Sequence, residues 1–286
     1  MKIVTDSGCD LTKEQCLELG VTMLPLKVQL GDRTYLSSVD LSAEEFYELL
    51  DQTEQMPLTS TPSVGDFEDA YRKLAETDRE ILSIHLSSGL SSTCNAAQVA
   101  ASQVDASVTV IDTLTLSSGT GWQVEAAARA VKSGWSKEQI LALLKQIQAA
   151  TNALFTLPDL KYLIAGGRIS HLKGLLASLL GIKPVIEVNK VDGKYYDIGK
   201  KRSFLKAVQE IPALILKKYG EGTALRAQIV HASNPEGGEM LREAMNKLFR
   251  CEWLADCAIG PALGAHTGRG LVGLMHAPLA EYPQLP

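Results

Sequence analysis

The chain has 286 residues, 45% of them hydrophobic and 21% charged, with a formal net charge of −5. That length predicts two units of roughly 100 to 150 residues, with enough apolar sequence to bury a sizeable core. The acidic balance and an aromatic content of only 6% argue against nucleic acid and anionic membrane surfaces as main partners.

Met1-Lys2-Ile3-Val4-Thr5-Asp6 enters a strand at once and carries no secretory h-region. No apolar run approaches the ~20 residues that cross a bilayer, so an integral membrane protein is not expected. Cys9, Cys16, Cys94, Cys251 and Cys257 are odd in number and form no Cys-x-x-Cys pair, which fits a reducing cytoplasm.

Taken in order, residues 2–5 read as a buried strand ending at Asp6-Ser7. Thr12 and Gln15 form a capping box that opens a helix ending near Gly20. Residues 21–30 are extended, with Pro25 marking an edge or an irregularity, and Gly31-Asp32 turns the chain back into a hairpin. Ser42 and Glu45 open a second helix, and Ser63 with Asp66 a third, after a loop carrying Thr59-Ser60-Thr61-Pro62. A strand over 81–86 then runs into Ser87-Ser88-Gly89-Leu90-Ser91-Ser92-Thr93 and a helix ending near Val104. Hydroxyls there lie beside unpaired backbone N–H groups at the positive end of a helix dipole, an arrangement suited to a carboxylate or phosphate. The plain alternative is that Ser88 or Ser91 merely caps the helix. A strand over 108–111 reaches Asp112-Thr113, and helices follow over 121–132 and, behind a Ser136/Gln139 box, 137–149.

This alternation predicts an N-terminal α/β domain over 1–150 built on a doubly wound, mostly parallel sheet. Ligands sit at the C-terminal strand ends of such sheets, where Asp6, the 59–63 loop, the 87–93 turn and Asp112 can converge. Residues 151–286 read as a C-terminal α+β domain with a mixed sheet. Its elements are a strand over 153–156, a helix from Pro158 into Gly166-Gly167-Arg168-Ile169-Ser170, and an apolar helix over 172–180. Next come a hairpin around Asp192-Gly193, helices over 203–219 and 235–249, and strands over 227–231 and 252–258. A glycine-flanked loop carrying His266 precedes a last strand over 271–275.

Catalytic templates fit poorly. Gly89-Leu90-Ser91 begins like a nucleophile elbow but lacks its final glycine, and Gly119-Thr120-Gly121 is followed by Val124 rather than glycine. Ser91, His266 and either Asp6 or Asp112 can still be combined into a serine-dependent esterase, the alternative reading. No Walker-type sequence is present, and five scattered histidines give no metal-ligand spacing, so no metal or cofactor is expected. Cys94 beside the turn reads as a nucleophile or, more plainly, as a buried thiol. Arg168 and Arg202 carry guanidinium groups able to fork onto a carboxylate or phosphate, or they are ordinary surface residues.

As an ordered set, these stretches resemble the DegV family, whose members bind fatty acids. The matching features are Thr5-Asp6-Ser7 with Asp10-Leu11, Thr59-Ser60-Thr61-Pro62-Ser63, Ser87 through Thr93, and Asp112. Leu163 with Gly166-Gly167-Arg168-Ile169-Ser170, Lys183-Pro184, and Gly264-Ala265-His266-Thr267-Gly268 complete it. Ser92, Thr113 and Arg269 depart from the residues usual in the family at those places, namely Gly, Ser and Pro.

The resemblance implies one fatty acid enclosed at the domain interface, its carboxylate held by Thr59 and Ser91, with Ser60 and Thr93 close behind and His266 completing the network. It also implies a carrier without catalysis of its own, which presents the acyl carboxylate to a separate fatty acid kinase for acyl phosphate formation. ATP and Mg²⁺ then belong to that partner, and Arg168 and Arg202 contact the partner or the phosphate. About 14 buried methylenes contribute roughly 11 kcal/mol before ordering costs. Ile84, Leu86, Leu154, Ile186, Ile229 and the helix over 172–180 either line such a tunnel or are plain core. A regulatory module sensing another small anion is a third reading, and it predicts no long acyl chain.

Overall fold

The computed structural model describes residues 1–169 and 181–286. The apolar helix expected over 172–180 lies outside the described residues.

The first half is organised by β1 (Lys2–Asp6), β2 (Val21–Leu24), β6 (Glu80–His85) and β7 (Ser107–Asp112), which pair in parallel in the order β2-β1-β6-β7. Successive side chains leave a strand on opposite faces, so Ile3 and Val4 enter different cores. Val4 and Ile81 pack with Phe67 and Tyr71 of α3 (Val64–Ala75) and with Ala97 of α4 (Thr93–Ala101). Ile3, Leu82 and Ile84 pack with α1 (Lys13–Leu19), α5 (Ser118–Lys132) and α6 (Lys137–Ala150). Helices cover both faces of a parallel sheet, the doubly wound arrangement that the alternation predicts.

Between β2 and α3 the chain leaves this sheet. Pro25 interrupts the extended run, and β3 (Lys27–Leu30), β4 (Arg33–Leu36) and β5 (Leu58–Ser60) form a small antiparallel sheet in the order β4-β3-β5, with α2 (Ala43–Asp51) between β4 and β5. The stretch over 58–60 is thus an edge strand rather than loop, because β3 offers it a free ladder: Val28 pairs with Thr59.

In the second half, β8 (Asn152–Thr156) leads through α7 (Lys161–Ala165) to β9 (Lys183–Val188) and β10 (Tyr195–Lys201). Then come α8 (Phe204–Tyr219), β11 (Ala224–His231), α9 (Pro235–Asn246), β12 (Arg250–Trp253), β13 (Cys257–Ala258), α10 (Pro261–Thr267) and β14 (Val272–Pro278). The sheet is mixed, in the order β10-β9-β8-β14-β11-β12, with β13 also on β11. One face packs on α8 and α9 through Val185, Ile211, Ile229 and Leu274. The other presents Phe155, Ile186, Tyr195, Val230 and Met275 to the small sheet, α2 and α10, with Leu86 and Leu116. This last cluster joins the two halves in one apolar seam.

Three local expectations are corrected. The helix expected from Pro158 begins at Lys161, since Asp159 first closes a turn by accepting from the Lys161 N–H at 2.9 Å. The strand expected over 252–258 breaks into β12 and β13. The loop expected around His266 is helix α10, started by Pro261 and ended at Gly268, whose φ of +67° closes it. Gly264 serves packing, because a Cβ there would lie 2.7 Å from Phe46 Cε1.

Candidate functional site

The C-terminal ends of β1 and β6 are locked by a buried relay. Asp6 accepts from the Gly8 N–H at 2.8 Å and the Leu86 N–H at 3.1 Å, and its Oδ2 lies 2.8 Å from His85 Nδ1. His85 Nε2 lies 2.7 Å from Ser83 Oγ, which is 2.7 Å from the Tyr71 hydroxyl. This Ser-His-Asp geometry is closed to solvent, all four side chains being 0% exposed, so its role is to hold the turn that follows.

That turn is tethered from several sides. The Ser87 N–H donates to the Thr115 carbonyl at 2.7 Å, the Ser88 N–H to Asp112 at 3.2 Å, and the Ser87 hydroxyl to the Gly193 carbonyl of the β9–β10 connection at 2.8 Å. Ser91 Oγ lies 2.8 Å from Thr93 Oγ1. Of the two capping candidates, Ser91 accepts at 3.3 Å from the Thr93 N–H, the first of α4; the N-cap position itself falls to Ser92, whose side chain makes no capping bond.

Across the seam, α10 and β5 meet at His266 and Thr59, with Nε2 and Oγ1 2.8 Å apart. Burial, with the Arg168 charge beside it, pushes the His266 pKa down to about 4, so the ring is neutral at pH 7 and carries a single N–H. Its Nδ1 has no hydrogen-bond partner among the described residues. Arg168 donates from Nε to the Leu90 carbonyl at 3.1 Å and from Nη1 to the Gly166 carbonyl at 2.6 Å, which fixes its guanidinium beside the turn.

Thr59, Ser91, Arg168 and His266 converge on one cavity of about 30 Å³, whose remaining wall is apolar and includes Leu86, Leu90 and Leu116. An adjoining cavity of about 20 Å³ is lined almost wholly by apolar groups, among them Leu154, Phe155, Val230 and Met275. Leu116, Tyr195 and Leu263 line both. Each has room for about one or two waters. Apolar walls close on one another because a void forfeits dispersion contacts.

Of the residues expected at the site, Thr59, Ser91, His266 and Arg168 are brought together. Thr93 is buried behind Ser91. Ser60 is exposed and does not line the cavity, because side chains alternate along β5 and Thr59 takes the inward position. Arg202 is exposed beyond the end of β10 and does not line it either. Among the expected apolar wall residues Leu86 and Leu154 line the cavities, whereas Ile84, Ile186 and Ile229 are core. Leu116, Tyr195 and Leu263 are further wall residues, and nothing in their local sequence distinguishes a wall from a core.

The hydrolase grouping is not assembled. His266 faces Thr59 rather than Ser91, Asp6 serves His85, and Asp112 holds the Ser88 and Leu114 N–H groups. Burial pushes the Cys94 thiol far up, which suppresses the nucleophilic thiolate. Among the described residues no group of three or more His, Cys, Asp or Glu could hold a metal ion, and no helix is long and apolar enough to cross a membrane. Arg269 donates to Ser233 Oγ at 2.7 Å and pairs with Asp51 at 2.9 Å, and the His266–Thr59 contact stands beside it.

Asp10 fastens α10 to the first half: it accepts from the Gly260 N–H at 3.0 Å and from the Ser117 hydroxyl at 2.6 Å. Burial raises its pKa from 3.8 to about 7 against those two bonds. The native state therefore binds this proton more tightly than the unfolded chain, and the stabilisation from protonated Asp10, complete below about pH 4, is lost as pH rises to about 7. Asp10→Asn should become more stable relative to the parent chain between pH 5 and pH 7.5, by a few kcal/mol. Urea unfolding of both at the two pH values measures the difference; a pH-independent gap rejects the assignment.

The family model described as "Uncharacterised protein, DegV family" matches residues 1–279. The chain belongs to the DegV family. A DegV domain-containing protein of Staphylococcus aureus is 34% identical over 273 residues, covering 96% of this chain and 97% of the relative. One from Halalkalibacterium halodurans is 34% identical over 278 residues, covering 95% and 96%. Among solved structures, a DegV family protein from Thermus thermophilus, described by its fatty acid binding, superposes with a TM-score of 0.87 at 31% identity, covering 97% of this chain and 99% of that one. DegV from Bacillus subtilis, described as a fatty acid binding protein, gives 0.86 at 30%, covering 97% and 98%.

Proposed function

We propose that this chain binds one long-chain fatty acid between two lobes that divide near residue 150, with the carboxylate at Thr59, Ser91 and His266 and the tail along the apolar seam. The observation that carries the reading is the convergence of two hydroxyls, a neutral imidazole and a guanidinium on a cavity that shares three apolar wall residues with a second, tail-like one. Support also comes from the DegV relatives described as fatty acid binding proteins. The cavities fall below the roughly 300 Å³ at which ligand pockets usually begin, so the apolar walls part when the chain enters.

The chain acts as a carrier in this reading. Ser91 has Thr93 rather than a base beside it, which suits holding a carboxylate intact. A separate fatty acid kinase, supplying ATP and Mg²⁺, then phosphorylates the presented carboxylate, with Arg168 beside the head group and exposed Arg202 facing the partner.

Native mass spectrometry followed by extraction is expected to find one intact fatty acid per chain. Hydrogen bonds to a charged group contribute about 1.5–3 kcal/mol, so Thr59→Val or Ser91→Ala should weaken binding of a fluorescent fatty acid by about 10-fold to 100-fold. A protein without acyl ligand, or variants that bind like the parent, would reject the reading; an acyl adduct on Ser91 would restore the hydrolase. Conversion of the bound acid to an acyl phosphate by the kinase and ATP, trapped with hydroxylamine, tests the carrier role.

A further inference from the structure

We infer that Leu116 is the gate between a head compartment and a tail compartment and thereby selects acyl chains by length and branching, an assignment that rests on the fatty acid reading above. The cavity at Thr59, the head compartment, adds Ser91, Arg168 and His266 to its wall, whereas the tail compartment adds Ser117 and Thr267 to a wall of apolar side chains. A tail passing from one to the other must cross the side chains common to both walls, namely Leu116, Tyr195 and Leu263.

Two of these are braced. Tyr195 stands edge-on to Phe155 with ring centroids 5.3 Å apart, and Leu263 lies mid-way along α10. Leu116 instead sits on the short bend between β7 and α5, outside any regular element. That bend is strained: Leu114 has φ +50° and Ser117 φ +52°, in the left-handed region that side-chain-bearing residues avoid. It is also pinned on either side of Leu116. The Thr115 carbonyl accepts from the Ser87 N–H, and the Ser117 N–H donates to the Gly8 carbonyl at 2.8 Å. Fixed flanks and a strained backbone present one leucyl side chain, 7% exposed, between the two compartments. Rotation of that side chain opens or closes the passage without moving the tethers of the carboxylate turn.

The test uses the full chain stripped of lipid, with octanoate and palmitate as probes displacing a fluorescent fatty acid. Leu116→Phe is expected to weaken palmitate at least tenfold while octanoate, whose short tail reaches less far past Leu116, changes less than twofold. Equal effects on both acids, or none on either, overturn the gate. A parent chain that takes neither acid sinks the fatty acid reading and the gate together, whereas a parent that takes both with no length-dependent change in the variant sinks the gate alone. Should Leu116→Phe fail to fold, Leu116→Ala carries the test: it is expected to raise the affinity for a methyl-branched acid over palmitate at least fivefold, and an unchanged ratio overturns the proposal.

Discussion

Gly89→Ala is expected to be among the most destabilising single-atom additions to this chain. A Cβ at Gly89 would overlap the Asp192 carbonyl oxygen and lie 2.9 Å from the Gly193 carbonyl carbon. The obstacles are backbone, so no rotamer relieves them; the turn and the β9–β10 connection must separate. Separation strains the bond from the Ser87 hydroxyl to the Gly193 carbonyl, which ties the 87–93 turn to the second sheet. Overpacking of this kind costs about 3 kcal/mol or more, equivalent to a fall in Tm of about 6 °C for a chain of this size. Gly65→Ala is the control, because a Cβ there meets nothing closer than Ser63 Oγ at 3.8 Å and alanine favours the helix. Thermal unfolding followed by circular dichroism compares the two. If Gly89→Ala melts with the control, the turn and the hairpin are not in rigid contact.

Asp6→Ala carries the second large effect. Asp6 is fully buried and satisfies three donors at once, from Gly8, Leu86 and His85. Truncation strands all of them in a site that water does not reach, for a loss of about 3–5 kcal/mol. Since the Leu86 N–H immediately precedes the Ser87 turn, retention of a bound fatty acid should fall along with stability. Asp6→Asn is expected to lose less, as its remaining oxygen can still accept from one of the two backbone groups, which Asp6 serves with different oxygens. Urea denaturation with a parallel ligand-retention measurement separates the cases: a loss below about 1 kcal/mol for Asp6→Ala contradicts the role assigned to the relay.

How far the sequence revealed this arrangement depended on the range of the interaction involved. Thr12 with Gln15, Ser42 with Glu45, Ser63 with Asp66 and Ser136 with Gln139 all form reciprocal capping boxes, because a cap is decided within four residues. The parallel first sheet was legible from alternation, and Thr59, Ser91 and His266 from the resemblance. The inward aim of Thr59 over Ser60 was not, since it follows from the register of β5 on β3, in which Thr59 pairs with Val28, 31 residues before it. The flanking Gly264 and Gly268 make a loop around His266 that other backbone can approach closely the natural expectation, yet the residue lies on α10. In the folded chain Gly264 instead makes room for Phe46 and Tyr47. Leu116 was invisible for the same reason: its importance lies in what Tyr195 and Leu263 bring to it from far along the chain.

The bond between Ser87 and Gly193 has a mechanical corollary. Whatever levers the second sheet away from the first pulls on the hydroxyl-bearing corner as well, so the Ser91 corner and the apolar seam loosen in one stroke. On the fatty acid reading proposed above, a cargo held this way would leave whole or stay whole, and a partner prying at the hairpin tip would command both its ends from a single handle.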